Sequence, residues 1–182
     1  NIDCDFFRVN GYLFLPAGEP EEILDRELAA AHRAGFIAVR KLPSPPLTLF
    51  DAGPCLEFPE QGQFHPLKYL AALAKAIIRD GGRIFTSTHV DTITGGVPAK
   101  LTIGNHVVIA EQVVVATNSP VNDRFAIHTK QSPYMSYVIA GKIPQGSVPR
   151  ALYWDAQECY HYIRLQKFDD NFDLLIVGGE DH

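Results

Sequence analysis

Residues 65–90, "HPLKYLAALAKAIIRDGGRIFTSTHV", decide how the rest of the chain is read. Pro66 suits the first turn of a helix, where its missing N–H would have had no intrahelical partner anyway. Leu67, Leu70, Ala71, Leu73, Ala74, Ile77 and Ile78 recur at helical spacing and make a wide apolar face, as on a helix packed against a sheet. Gly81-Gly82 ends that helix. "RIFTSTHV" then alternates Ile84, Thr86, Thr88 and Val90 on one face, which predicts a strand. Helix–glycine–strand units of this kind build nucleotide-binding sheets, yet no G-x-G-x-x-G occurs in the 182 residues.

Downstream, "AKLTIGNHVVIAEQVVVATN" predicts two strands around a Gly104-Asn105 turn, then a third. That third strand, "QVVVATN", is apolar on both faces, as expected between two layers. "PYMSYVIAGKI" and "ALYWDAQECYHYIRLQKFDDNFDLLIVGG" predict long antiparallel strands, with turns at Gln145-Gly146 and Asp169–Asn171. Upstream, "RVNGYLFL" is strand material with a turn or bulge signal at Asn10-Gly11. "GEPEEILDRELAAAHRAGF" predicts a helix: Pro20 and acidic residues start it, Ile23, Leu24, Leu28 and Ala31 form its stripe, and Gly35 stops it. "IAVRKL" predicts a short strand. Five prolines between residues 43 and 64 predict a long crossing loop with one short strand at "CLEF", and a lobe boundary there.

Composition narrows the function classes. With 46% hydrophobic and 20% charged residues, the chain can bury a core. A net charge of -5 and scattered lysines and arginines argue against a nucleic-acid partner. No apolar run approaches the roughly 20 residues that span a bilayer. Cys4, Cys55 and Cys159 are odd in number and form no C-x-x-C pair, which predicts reduced thiols in a cytoplasmic protein. His65, His89, His106, His128 and His161 are dispersed without metal-ligand spacing, so no metal site is expected. The chain opens on Asn1 rather than Met, and its end falls just after an apolar run meets its glycines. Both ends suggest an excised piece of a longer protein.

The order of elements resembles the D-amino-acid oxidase and glycine oxidase (DAO) superfamily of FAD-dependent oxidoreductases. The residues that carry the likeness are Pro66, Gly82, Ile84, Val90, Val114, Val115, Ala116 and Asn118. "YHYIRLQ…DLLIVGGEDH" is similar to the family's late strand pair, and "GGEDH" looks like members with a downstream Rieske-type iron–sulfur domain. The resemblance implies an α/β fold of mixed α+β character. Residues 1–64 and 126–182 would build a β-rich substrate-binding lobe, and 65–125 the middle of a Rossmann-like FAD lobe. The glycine fingerprint that pins the pyrophosphate would precede this chain, and without it most of the binding energy for FAD is lost.

The same resemblance assigns roles. Val90 would meet the adenine through its backbone, and Ala116, Thr117 and Asn118 would pass close to the cofactor. Read without the family, Val90 is a core valine and 116–118 a strand end. Tyr160, Tyr162 and Arg164 alternate on one strand face, with His161 and Ile163 on the other. Two phenols and a guanidinium could orient an amine substrate and fork its carboxylate; a solvated face with cross-strand packing is the alternative. The implied chemistry is hydride transfer from a carbon beside an amine nitrogen to the flavin. Two other functions stay open. One is a flavoprotein dehydrogenase of hydroxy acids or sugar phosphates coupled to an iron–sulfur domain; the other is a binding or regulatory domain without turnover.

Overall fold

A computed structural model of the protein describes residues 2–118, 121 and 134–181. The chain forms two compact units, one from residues 1–69 and 134–182, the other from 70–133. The boundary expected near residue 125 lies outside the described residues.

The first unit is built on a seven-stranded sheet ordered β2-β3-β1-β8-β9-β10-β7. Its strands are β1 (Phe7–Phe14), β2 (Arg40–Leu42), β3 (Cys55–Gln63), β7 (Tyr137–Pro144), β8 (Leu152–Asp155), β9 (His161–Lys167) and β10 (Phe172–Gly179). β1 runs parallel to β8 and every other pair is antiparallel. The bulge signal at Asn10-Gly11 holds: the register between β1 and β3 slips between Val9 and Gly11. That slip explains one departure from expectation. "CLEF" extends through Pro59 to Gln63, because the bulge leaves Pro59 and Glu60 without ladder partners, so the missing proline N–H breaks no bond. "IAVRKL", by contrast, shortens to the three residues of β2.

Alternation along the strands puts a core on each face of this sheet. Tyr12, Phe14, Cys55, Tyr153 and Leu165 pack together on one side, joined by Leu47, Val148 and Ala151 from loops. On the other side Leu13, Leu15 and Leu56 meet the helix α1 (Glu22–Arg33) through Leu24 and Ala31. Leu24 is wholly buried, which is worth about 1.5–3 kcal/mol. Gly35, at φ +94°, closes α1: its N–H bonds to His32 O and the N–H of Phe36 to Ala31 O, the paired bonds of a Schellman stop. Trp154 extends the α1-side face along β8, and Gly11 makes room for its ring, since a Cβ there would lie 2.7 Å from the indole.

The second unit holds a three-stranded antiparallel sheet of β4 (Thr92–Thr94), β5 (Ala99–Ile103) and β6 (His106–Ala110). The Gly104-Asn105 turn joins β5 to β6 as expected, with Gly104 at φ +55°. The helix α2 (Pro66–Arg79) also forms as expected, and Gly81-Gly82 stops it by the same pair of bonds, to Ile78 O and Ile77 O. The strands expected at 83–90 and 112–118 do not form: both segments are irregular, and 113–117 lie at the surface, Val114 being 89% exposed. Their composition favours strand, but a strand exists only by pairing, and neither segment joins the β4–β6 ladder. For the same reason no residue of α2 is buried, and Leu70, Ile77 and Ile78 face outward.

Candidate functional site

Among the described residues, the α1-side face of the large sheet is covered only in part. α1 lies over β2 and β3, and Trp154 continues the wall onto β8. Beyond it the register sets Trp154 opposite Tyr162, Tyr162 opposite Gly178, and Arg164 opposite Ile176, so these side chains share one face of β8, β9 and β10. Ile163, the residue between, packs into the opposite core. The alternation read from the sequence is therefore the alternation of the strand.

This face lines a cleft of about 290 Å³ made by Tyr162, Arg164, Gln166 and Ile176 together with His65, Pro66 and Leu67. Tyr160 and Tyr162 stand with ring centroids 6.3 Å apart and share an adjoining depression with Trp154 and Arg164. All three expected substrate residues are thus brought together. Tyr160 itself precedes β9 and is exposed.

The cleft is held by its surroundings. The N–H of His65 bonds to Cys4 O at 2.7 Å. Asp5 accepts two bonds from Lys68 Nζ, at 2.7 and 2.8 Å, and a third from Gln166 Nε2 at 3.2 Å. The Lys68 bond is the largest influence holding the Asp5 carboxyl below its ordinary value. Within this frame Arg164 Nε is buried with no hydrogen-bond partner among the described residues. A guanidinium N–H taken out of water without an acceptor is costly, and the Arg164 side chain lines the cleft, where a guanidinium can fork a carboxylate.

Two glycines explain why the Tyr162 ring can sit there. A Cβ on Gly178 would lie 2.4 Å from the phenol carbon and oxygen of Tyr162, so the ring rests directly on that backbone. Gly179, at φ +146°, would carry its Cβ into Tyr160 O. Sequence reading treated "GG" here as part of a motif and missed this steric role, which follows from the register of Gly178 opposite Tyr162.

Sequence reading also missed His161. Its Nδ1 is 2.8 Å from Asp155 Oδ2 and its Nε2 is 2.9 Å from Glu180 Oε1, while Asp155 Oδ1 accepts its backbone N–H at 2.9 Å. The Asp155 bond, opposed by burial and aided by Glu180, raises the imidazole above its ordinary value. Glu180 is therefore tied into the fold.

The expected cofactor residues all lie in the second unit. Val90 is half-buried, and among the described residues no hydrogen bond engages its backbone. Ala116, Thr117 and Asn118 are exposed on an irregular segment. Small side chains on irregular backbone suit a planar heterocycle. A glycine-rich turn between a strand and a helix, which a pyrophosphate requires, is absent among the described residues.

The chain was compared with known families and structures. The family description "FAD dependent oxidoreductase" (DAO) matches residues 1–182. YhfW of Bacillus subtilis (strain 168), named as a Rieske 2Fe-2S iron-sulfur protein, is 28% identical over 185 residues, covering all of this chain and 35% of that protein. Among solved structures, glycine oxidase from Geobacillus kaustophilus superposes with a TM-score of 0.72 at 20% identity, over 100% of this chain and 50% of that one. L-Proline dehydrogenase from P. horikoshii gives 0.68 at 16% identity, over 96% and 49%. This chain spans about half the length of those structures and about a third of YhfW. With the family pattern matched from end to end, the chain belongs to the DAO family of FAD-dependent oxidoreductases.

Proposed function

We propose that this chain is the interior portion of a longer flavoprotein that oxidises a small amine or amino acid. The observation that carries this reading is the partnerless Arg164 Nε in a tyrosine-walled cleft on the open sheet face. Arg164 takes the substrate carboxylate, and Tyr160 and Tyr162 wall the cleft against water. Residues 1–64 and 126–182 serve as the substrate-binding lobe, and 65–125 as the middle of the FAD lobe. In that lobe the backbone of Val90 meets the adenine, and Ala116, Thr117 and Asn118 let the chain pass close to the cofactor. FAD, when bound, supplies the hydride acceptor, so no strong protein acid or base is needed at the cleft. The irregular segments 83–90 and 112–118 and the outward face of α2 are covered in the longer protein by the rest of its FAD lobe. The likeness to the Rieske-named YhfW across the whole chain supports a further element of this reading, an iron–sulfur domain outside the chain that receives the electrons.

Anaerobic mixing of the FAD-loaded full-length protein with small amino acids, hydroxy acids and sugar phosphates tests the reading. An amino acid or amine should bleach the flavin, and Arg164→Met should raise its half-saturating concentration about 10- to 100-fold, the worth of a charge-assisted hydrogen bond. Bleaching by a hydroxy acid or sugar phosphate alone would assign the chain to another class of dehydrogenase. An Arg164→Met protein with unchanged saturation would remove the cleft from the substrate path.

A further inference from the structure

His161 is bonded through both ring nitrogens to carboxylates from two different strand ends, 2.8 Å to Asp155 and 2.9 Å to Glu180. A carboxylate only accepts, so both bonds are complete only when both nitrogens carry protons. The ring is therefore an imidazolium bridging the end of β8 to the residue after β10. Its backbone is tied as well, since Asp155 Oδ1 accepts the His161 N–H and also that of Gln157 at 3.3 Å. Next to this bridge lie Tyr162 of the cleft and Tyr160 of the adjoining depression. Tyr160 and Tyr162 flank His161 in sequence. Gly179, opposite His161 in register, has no room for a side chain against Tyr160 O, and Gly178 lies under the Tyr162 ring.

We propose that His161 is a positioning residue: as an imidazolium between Asp155 and Glu180 it fixes the spacing of β8, β9 and β10 at their shared end, and so holds the Tyr160–Tyr162 wall over Gly178. The inference rests on the reading that this wall and Arg164 bind the substrate. His161 itself lies on the far face of the sheet from the cleft and touches no substrate. The groups around it are few. β8 brings Asp155, the segment after β10 brings Glu180, and Asp181 turns instead to Ser136 Oγ. The turn before β9 brings Cys159, whose thiol reaches Asp181 O at 3.6 Å.

The bridge gives the cleft a pH dependence of definite sign. The Asp155 bond, then Glu180, raise the imidazole above the ordinary histidine value. The clamp is complete below that ordinary value and is lost as pH rises through the higher value of the folded protein. A third of the ring is exposed, so solvent screens the effect and a few-fold change is expected.

The test is binding of methoxyacetate to the FAD-loaded full-length protein, read by perturbation of the flavin absorbance between pH 6 and 9. This probe is a carboxylate with nothing that titrates in that range. Affinity should fall several-fold across the range with a one-proton midpoint above that of free histidine, about 6.5. His161→Gln should bind several-fold more weakly at pH 6 and show no titration. Glu180→Gln, a milder change at an exposed position, should keep the titration but move its midpoint to lower pH. If the first variant does not fold, the midpoint of the second still decides. Unchanged affinity and slope in His161→Gln, or an unmoved midpoint in Glu180→Gln, would overturn the inference. Arg164→Met separates the two readings. Should it bind the probe as tightly as the unaltered protein, the cleft is not the carboxylate site and the positioning role falls with it. Should it lose the probe while His161→Gln does not, only the positioning role fails.

Discussion

Glu57 shows how one buried carboxylate is made tolerable. It is 6% exposed and accepts from Asn10 Nδ2 at 2.8 Å and Tyr12 OH at 3.0 Å, while the Arg40 guanidinium pairs with its other oxygen. Burial pushes its carboxyl up, but the bonds from Arg40, Tyr12 and Asn10 together outweigh burial and leave it below the ordinary value. The sign follows from linkage. A lowered folded value gives stability that is present above the ordinary carboxylate range and lost as pH falls through the folded value. The Arg40 side chain is largely exposed, so solvent screens its share of this stability. Glu57→Gln should cost about 1–3 kcal/mol in urea unfolding at pH 7, because it turns a donor toward donors. As pH falls through the folded value the unaltered protein takes on the same loss, and the gap between the two should narrow. A gap that stays constant down to acid unfolding would show that the carboxylate charge contributes nothing.

At the scale of elements, α1 and α2 have the same kind of apolar stripe and opposite fates. Leu24 of α1 is fully enclosed by Leu13, Leu56 and their neighbours, whereas Ile78 of α2 is exposed. In this chain Leu24→Ala should lower stability by about 2–5 kcal/mol and Ile78→Ala by no more than about 0.5 kcal/mol, compared by urea midpoints. A similar cost at both would mean that α2 packs against something in solution. The same contrast explains what was legible in the sequence. Helix limits, glycine stops, the β5–β6 turn and the shared face of Tyr162 and Arg164 follow from local spacing, and all are found. The strands at 83–90 and 112–118 rest on alternation and an apolar run, but their formation depends on partners that such patterns do not name. His161 was passed over for a related reason: its two carboxylates lie 6 and 19 residues away, and only the register of β8, β9 and β10 brings them to one ring.

For the whole molecule, the chain order and the spatial order differ. The first unit takes its strands from both ends of the chain, with β1 to β3 before the second unit and β7 to β10 after it. β1 alongside β8 joins these halves by the sheet's one parallel pair, and Gln63 Nε2 bonds to Leu165 O across 102 residues of sequence. Such a closure was visible in the sequence only through the family pattern, because no local rule pairs a strand at residue 12 with one at residue 153.

The burial of the cysteines has a practical consequence. Cys55 lies in the core, where burial pushes its thiol up to about 11, and Cys4 is buried as well. Cys159 alone is partly open, one residue before Tyr160. A bulky thiol reagent at neutral pH should therefore modify one sulfur of three in the native protein and the other two only in denaturant, counted by mass. A native count of two or three would contradict the packing around Cys55 or Cys4. With a count of one, the protein carries a natural attachment point for a fluorophore at the edge of its cleft, and occupancy could be followed by light without introducing a residue.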